Sequence, residues 1–236
     1  MLRSLTFIVL LCLAPSLYGQ SKKLPKRPKS PFNAGIIAGM NSSQLDGDYQ
    51  SGYDKHGFSG GMQSTVFLNP ALDLSIDLLF SQRGSKADSG SGGQNRVVNI
   101  HLNYAETNFL LNFLASRYED GLPKFHIQAG LSYARLLSHR VKTFPYNNRV
   151  LIATLSERSS FTEIADHFNS DDFGVVGGAA LHIGSHFTLS LRQNFSLKLL
   201  FNQEDIPERN NRSIRSFFIA IHGTYLFLNP YGKKKK

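Results

Sequence analysis

Ala71-Leu72-Asp73-Leu74-Ser75-Ile76-Asp77-Leu78-Leu79-Phe80-Ser81-Gln82-Arg83 alternates apolar and polar side chains along most of its length. A period of two places successive side chains on opposite faces of an extended strand. Leu72, Leu74, Ile76, Leu78 and Phe80 share one face, and Asp73, Ser75, Asp77, Ser81 and Arg83 share the other. Strands of soluble domains average about 5–6 residues. A tilted strand that crosses a bilayer needs ~9–11. A long strand with one lipid-like face and one charged face suits the wall of a membrane barrel.

The same pattern recurs on both sides of this stretch. In residues 186–200, Phe187, Leu189, Leu191, Phe195, Leu197 and Leu199 oppose Thr188, Ser190, Arg192, Asn194, Ser196 and Lys198. In 124–134, Phe125, Ile127, Ala129, Leu131 and Tyr133 oppose His126, Gln128, Gly130 and Ser132. In 215–227, Phe217, Ile219, Ile221, Tyr225 and Phe227 oppose Ala220, His222 and Thr224. Weaker alternation marks 32–42, 57–68, 96–114 and 172–184. Within 96–114, Val98, Ile100 and Leu102 have one parity, while Phe109, Leu111 and Phe113 have the other. A β-bulge near 105–108 is the expectation from this change of phase.

Connection lengths alternate as well. Long stretches at about 43–56, 84–95, 139–171 and 201–212 are interleaved with short turns at Asn69-Pro70, Glu119-Asp120-Gly121 and Gly184-Ser185. An even number of strands, short periplasmic turns and long external loops are the hallmarks of outer-membrane barrels. The expected fold is all-β: an eight-stranded antiparallel up-and-down transmembrane β-barrel. The parity puts both termini in the periplasm of a Gram-negative bacterium. Phe161–Phe168, in the longest loop, is expected to form a short helix.

The ends of the chain fit export. Arg3, the apolar Leu5–Leu13 and the exit Pro15–Gly19 read as a secretory signal peptide over 1–20. Residues 21–31 form a basic, proline-rich periplasmic linker, 32–228 the barrel, and 229–236 a basic tail. Cys12 is the only cysteine, so a mature chain would hold no disulfide. Of the 26 Lys and Arg residues, ten lie in the first 31 positions and the last four, leaving 16 against 17 Asp and Glu. The body is therefore near neutral and lacks the basic face that nucleic-acid binding requires. Outer-membrane lipid is the expected surrounding, and a monomer the expected state.

Several segments carry a family resemblance in their order and spacing. They are Gly39-Met40-Asn41 with Asp46-Gly47-Asp48, then Gly57-Phe58-Ser59-Gly60-Gly61 and Leu78-Leu79-Phe80-Ser81-Gln82-Arg83-Gly84. Asn103-Tyr104-Ala105-Glu106, Gln128–Tyr133, and Asp172-Phe173-Gly174 with Gly177-Gly178 complete the set. Together, over roughly 33–228, they resemble the PorT-like outer-membrane β-barrel family of the Bacteroidota. The resemblance implies an eight-stranded outer-membrane barrel and offers no catalytic residues. The family's namesake takes part in type IX secretion, which suggests secretion or envelope proteins as partners.

The inner face is expected to carry Asp73, Asp77, Arg83, Glu106, Gln128, His182, Arg192, Lys198 and His222. Mixed acids and bases in a narrow lumen most simply neutralise one another as a structural network, and a proton or ion path is the sharper alternative. No zinc-protease motif or phosphate-binding loop is present, and no cofactor, metal or catalytic residue is expected. Asp46-Gly47-Asp48 and Asp171-Asp172 lack the remaining ligands of a calcium loop. The expected function is that of a non-enzymatic barrel that binds a partner protein through its loops or periplasmic ends. A lipocalin-like barrel holding a small apolar ligand is the alternative. A loop enzyme would have to draw on His139, His167 and Asp171.

Overall fold

A computed structural model describes residues 28, 30–46, 53, 55–86, 98–143, 168–200 and 215–229. Eight antiparallel strands close into a barrel in sequence order. They are β1 (Phe32–Asp46), β2 (Lys55–Asn69), β3 (Leu72–Lys86), β4 (Val98–Arg117), β5 (Pro123–Thr143), β6 (Asp171–Ile183), β7 (Phe187–Ser196) and β8 (Arg215–Leu226). Closure is made by β8 on β1, with register from Gly35↔Leu226 to Asp46↔Arg215. Every strand thus has two neighbours, as lipid requires when no water is there to satisfy a free edge. The short turns lie at one end of the barrel and the long connections at the other. The helix expected at Phe161–Phe168 falls largely outside the described residues.

The outer wall is apolar. Ile36, Met40, Met62, Leu78, Leu131, Leu191 and Ile221 are each more than half exposed, a loss that only a lipid environment offsets. Aromatic residues sit near the ends of this belt. Tyr133 packs on Phe173 towards the long-loop end, with ring centroids 5.1 Å apart. Tyr225 stacks on His186 at the short-turn end, with centroids 5.7 Å apart. Along β6, the run from Phe173 to Ile183, at ~3.3 Å per residue and tilted by ~40°, rises about 25 Å. That is the height of the apolar band of an outer-membrane barrel.

The expected bulge at 105–108 is not there. Pairing of β3 with β4 is unbroken from Leu72↔Phe113 to Lys86↔Asn99. Ile100, Leu102, Tyr104, Glu106, Asn108, Leu110, Asn112 and Leu114 all face inward and are buried. The side-chain parity never changes; the polarity of the surroundings does. Up to about Tyr104 the outer face meets lipid, with Phe109, Leu111 and Phe113 exposed. Beyond it the outer face carries Asn103, whose amide donates to Ser138 Oγ at 2.9 Å, and the inner face carries Ile100 and Leu102. The upper part of this hairpin is built like a water-soluble sheet, apolar inside and polar outside. A bulge does occur, on the partner strand: Asn103 pairs with Ser138 and Tyr104 with Leu136, so Leu137 is the extra residue in β5.

Candidate functional site

Inward-facing polar side chains form three tiers. In the middle tier Arg192 reaches from β7 to Asp77 on β3, the opposite wall, with Nη1 2.5 Å from Oδ2. Gln63 Nε2 donates to the other Asp77 oxygen at 2.8 Å, and Arg192 Nε donates to Gln128 Oε1 at 3.0 Å. Gln128 Nε2 in turn donates to Asn112 Oδ1 at 2.7 Å, and Asn112 Nδ2 to Ser75 Oγ at 2.7 Å. One pair of charges thereby anchors a network that spans five of the eight strands.

The upper tier is organised by Arg83. Its guanidinium donates to Glu106 on β4 and, at 3.1 Å, to Asp172 on β6. It also lies over two rings, 4.1 Å from the Phe218 centroid and 4.9 Å from that of Tyr104. Cation–π contact and two charge-assisted hydrogen bonds suit the planar fork of arginine. Ser196 donates to the second Asp172 oxygen. Ile100, Leu102 and Leu200 are buried at the long-loop end of the barrel.

The lower tier lies at the short-turn end. Asp73 Oδ2 is 3.7 Å from His126 Nε2. His126 Nδ1 and His182 Nε2 share a hydrogen bond of 2.8 Å, and Thr188 Oγ1 is 3.1 Å from His182 Nδ1. His222 stands apart, with Nε2 3.1 Å from Ser59 Oγ. A cavity of about 50 Å³ opens beside this tier.

Asp73, Asp77, Arg83, Glu106, Gln128, His182, Arg192 and His222 therefore line the lumen. Lys198 does not. β7 ends at Ser196, and its last pairing with β8 is Phe195↔Phe217. Pairing with β8 ends there while Leu197 N–H still donates to the Phe173 carbonyl of β6 at 2.7 Å, and Lys198 lies half-buried at the long-loop rim beside Asp171 and Asp172. Two members of the tiers, His126 and Asp172, were legible by parity. His126 is two positions from Gln128, and Asp172 has the parity of His182.

Candidates for loop chemistry are dispersed or engaged. Arg135 Nη1 holds both Asp171 oxygens, at 2.8 and 2.9 Å, and Tyr133 Oη donates to the same carboxylate at 2.8 Å. His139 is exposed and lies against Phe168, with ring centroids 5.3 Å apart. His167 falls outside the described residues. Among the described residues no group of three His, Cys, Asp or Glu side chains converges as a metal site would require.

A closed eight-stranded antiparallel barrel with a lipid-facing wall and a polar packed lumen defines an integral outer-membrane protein. The chain belongs to the family described as outer membrane protein beta-barrel domain, whose model matches residues 18–202. No curated protein sequence matches it. Among solved structures it is similar to Ail, the attachment invasion locus protein of Yersinia pestis. The identity is 10% and the TM-score 0.43, over 84% of this chain and 100% of that one. Neisserial surface protein A is 15% identical with a TM-score of 0.41, over 83% and 97% of the two chains. The outer membrane protease OmpT from Escherichia coli is 11% identical with a TM-score of 0.28, over 88% and 100%.

Proposed function

We propose that this outer-membrane barrel is a closed, non-enzymatic platform that binds a partner protein of envelope assembly or type IX secretion. The observation that carries the reading is the double closure of the lumen. Arg192–Asp77 spans the barrel, and Arg83 ties Glu106 to Asp172 nearer the long-loop end. Charges spent on one another in this way are poor candidates for catalysis or for a solute path. Work on the surroundings then falls to the long loops or to the periplasmic ends. The resemblance to PorT-like barrels favours secretion as the context. Export by the signal at 1–20, a periplasmic linker at 21–31 and a periplasmic tail at 229–236 belong to the same proposal.

The test has two arms. Protein extracted from outer membranes and running at a different mobility before and after boiling should give no conductance steps in planar bilayers. In intact cells, photo-crosslinkers placed in the long loops and in the linker should capture a discrete protein. Steady conductance from the folded form would replace the platform with a channel, and unchanged protein export after gene disruption would remove the secretion context. The lipocalin-like alternative has no support in the lumen, where the cavity beside the short turns is lined by Asp73, His126, His182 and Gln128.

A further inference from the structure

The cavity at the short-turn end has a chemical character that the closure of the barrel does not explain. Leu122, Pro123, Gly184 and Ser185, all in or beside short turns, contribute to its lining, as does Arg192 of the middle tier. Asp73 is 8% exposed, and its Oδ1 is buried with no hydrogen-bond partner. Ser190 Oγ, on the same cavity, is likewise buried and without one. The two lumen arginines are engaged elsewhere, Arg192 with Asp77 and Gln128, and Arg83 with Glu106 and Asp172. The imidazoles of His126 and His182 are bound to each other, and the second nitrogen of His182 faces Thr188. Among the described residues Asp73 has no Arg or Lys within ion-pair distance, and its nearest basic group is His126 at 3.7 Å.

A buried carboxylate without a cation is costly, and a bound cation with N–H donors offsets that cost. The cavity, at about 50 Å³, has room for a ligand of a few heavy atoms. Apolar groups on its wall, Ala180 and Leu226, suit a short alkyl stem. An anion would meet Asp73, and no set of ligands converges on a metal ion. We infer that the short-turn end of the lumen is a binding vestibule for a small primary alkylammonium ion, with Asp73 receiving the ammonium group in a cavity that Ser190 also lines. The Arg192–Asp77 pair closes the inner end, so the vestibule binds the ion without passing it on.

The experiment uses the full-length barrel folded in nanodiscs, with methylammonium as probe and saturation-transfer NMR as readout. Saturable binding in the millimolar range is expected. It should weaken at least tenfold in Asp73→Asn and stay unchanged in Asp171→Asn, which alters a rim carboxylate. Tetramethylammonium, a bulkier cation without N–H groups, should not compete. Ser190→Val keeps the carboxylate, narrows the cavity and should also weaken binding, which covers the case in which Asp73→Asn fails to insert. Non-saturable binding, equal binding in Asp73→Asn or Ser190→Val, or full competition by tetramethylammonium would overturn the proposal.

Discussion

Arg192 on β7 and Asp77 on β3 meet across the full width of the barrel, guanidinium nitrogen to carboxylate oxygen at 2.5 Å. Both residues are almost wholly buried. Removing one partner of such a pair leaves a charge with no water to solvate it, at a cost of about 3–5 kcal/mol. Arg192→Met should therefore lower the stability of the folded barrel by about that amount. Combining it with Asp77→Leu should restore most of the loss. Urea unfolding in detergent, followed by the shift in unboiled mobility, measures both.

Arg83 poses a harder demand, because one guanidinium serves Glu106, Asp172 and two aromatic rings at once. A lysine has the charge but not the planar fork. Arg83→Lys should be destabilising by ~2 kcal/mol or more, the scale of a lost charged hydrogen bond. Equal stability of Arg83→Lys and wild type in the same unfolding assay would mean that the charge alone holds the upper tier.

The reversal of polarity along β4 and β5 fixes where lipid stops. Leu78, 58% exposed on the outer wall, stands inside the apolar belt. Asn103 stands above it, bonded to Ser138. Leu78→Arg should cost about 2–4 kcal/mol of folding free energy in a bilayer, and Asn103→Arg close to none. Folding yield into lipid vesicles separates the two, and equal yields would place the boundary elsewhere.

Glycine matters at some wall positions and not at others. A Cβ on Gly61 would run into the Leu78 carbonyl oxygen across the β2–β3 pair, whereas one on Gly177 would meet nothing within 4 Å. Gly61→Ala should reduce the folded fraction, because backbone on the facing strand must move. Gly177→Ala should leave it unchanged. The proportion of heat-modifiable protein after refolding is the readout.

Alternation alone placed all eight strands, because a wall between lipid and a packed lumen forces each residue to one side or the other. Parity likewise put Asp73, Asp77, Arg83 and Arg192 on the inner face. Partners were another matter. Nothing in the order of residues says that Arg192 crosses to Asp77, 115 positions away, instead of joining a neighbour. That pairing depends on closure, which sets β3 opposite β7.

The tertiary structure also decided two points that the pattern could not. Ile100 and Leu102 looked like a slip in register, yet they keep their parity and are buried inside the barrel at its long-loop end. Lys198 continued the alternation of β7 past its last pairing with β8, to a rim position held from the β6 side through Leu197. Period-two alternation records which side of a wall a residue occupies. It does not record which side is wet, or whether the wall is still there, because both are set by lipid depth and by neighbouring strands that come from distant parts of the chain.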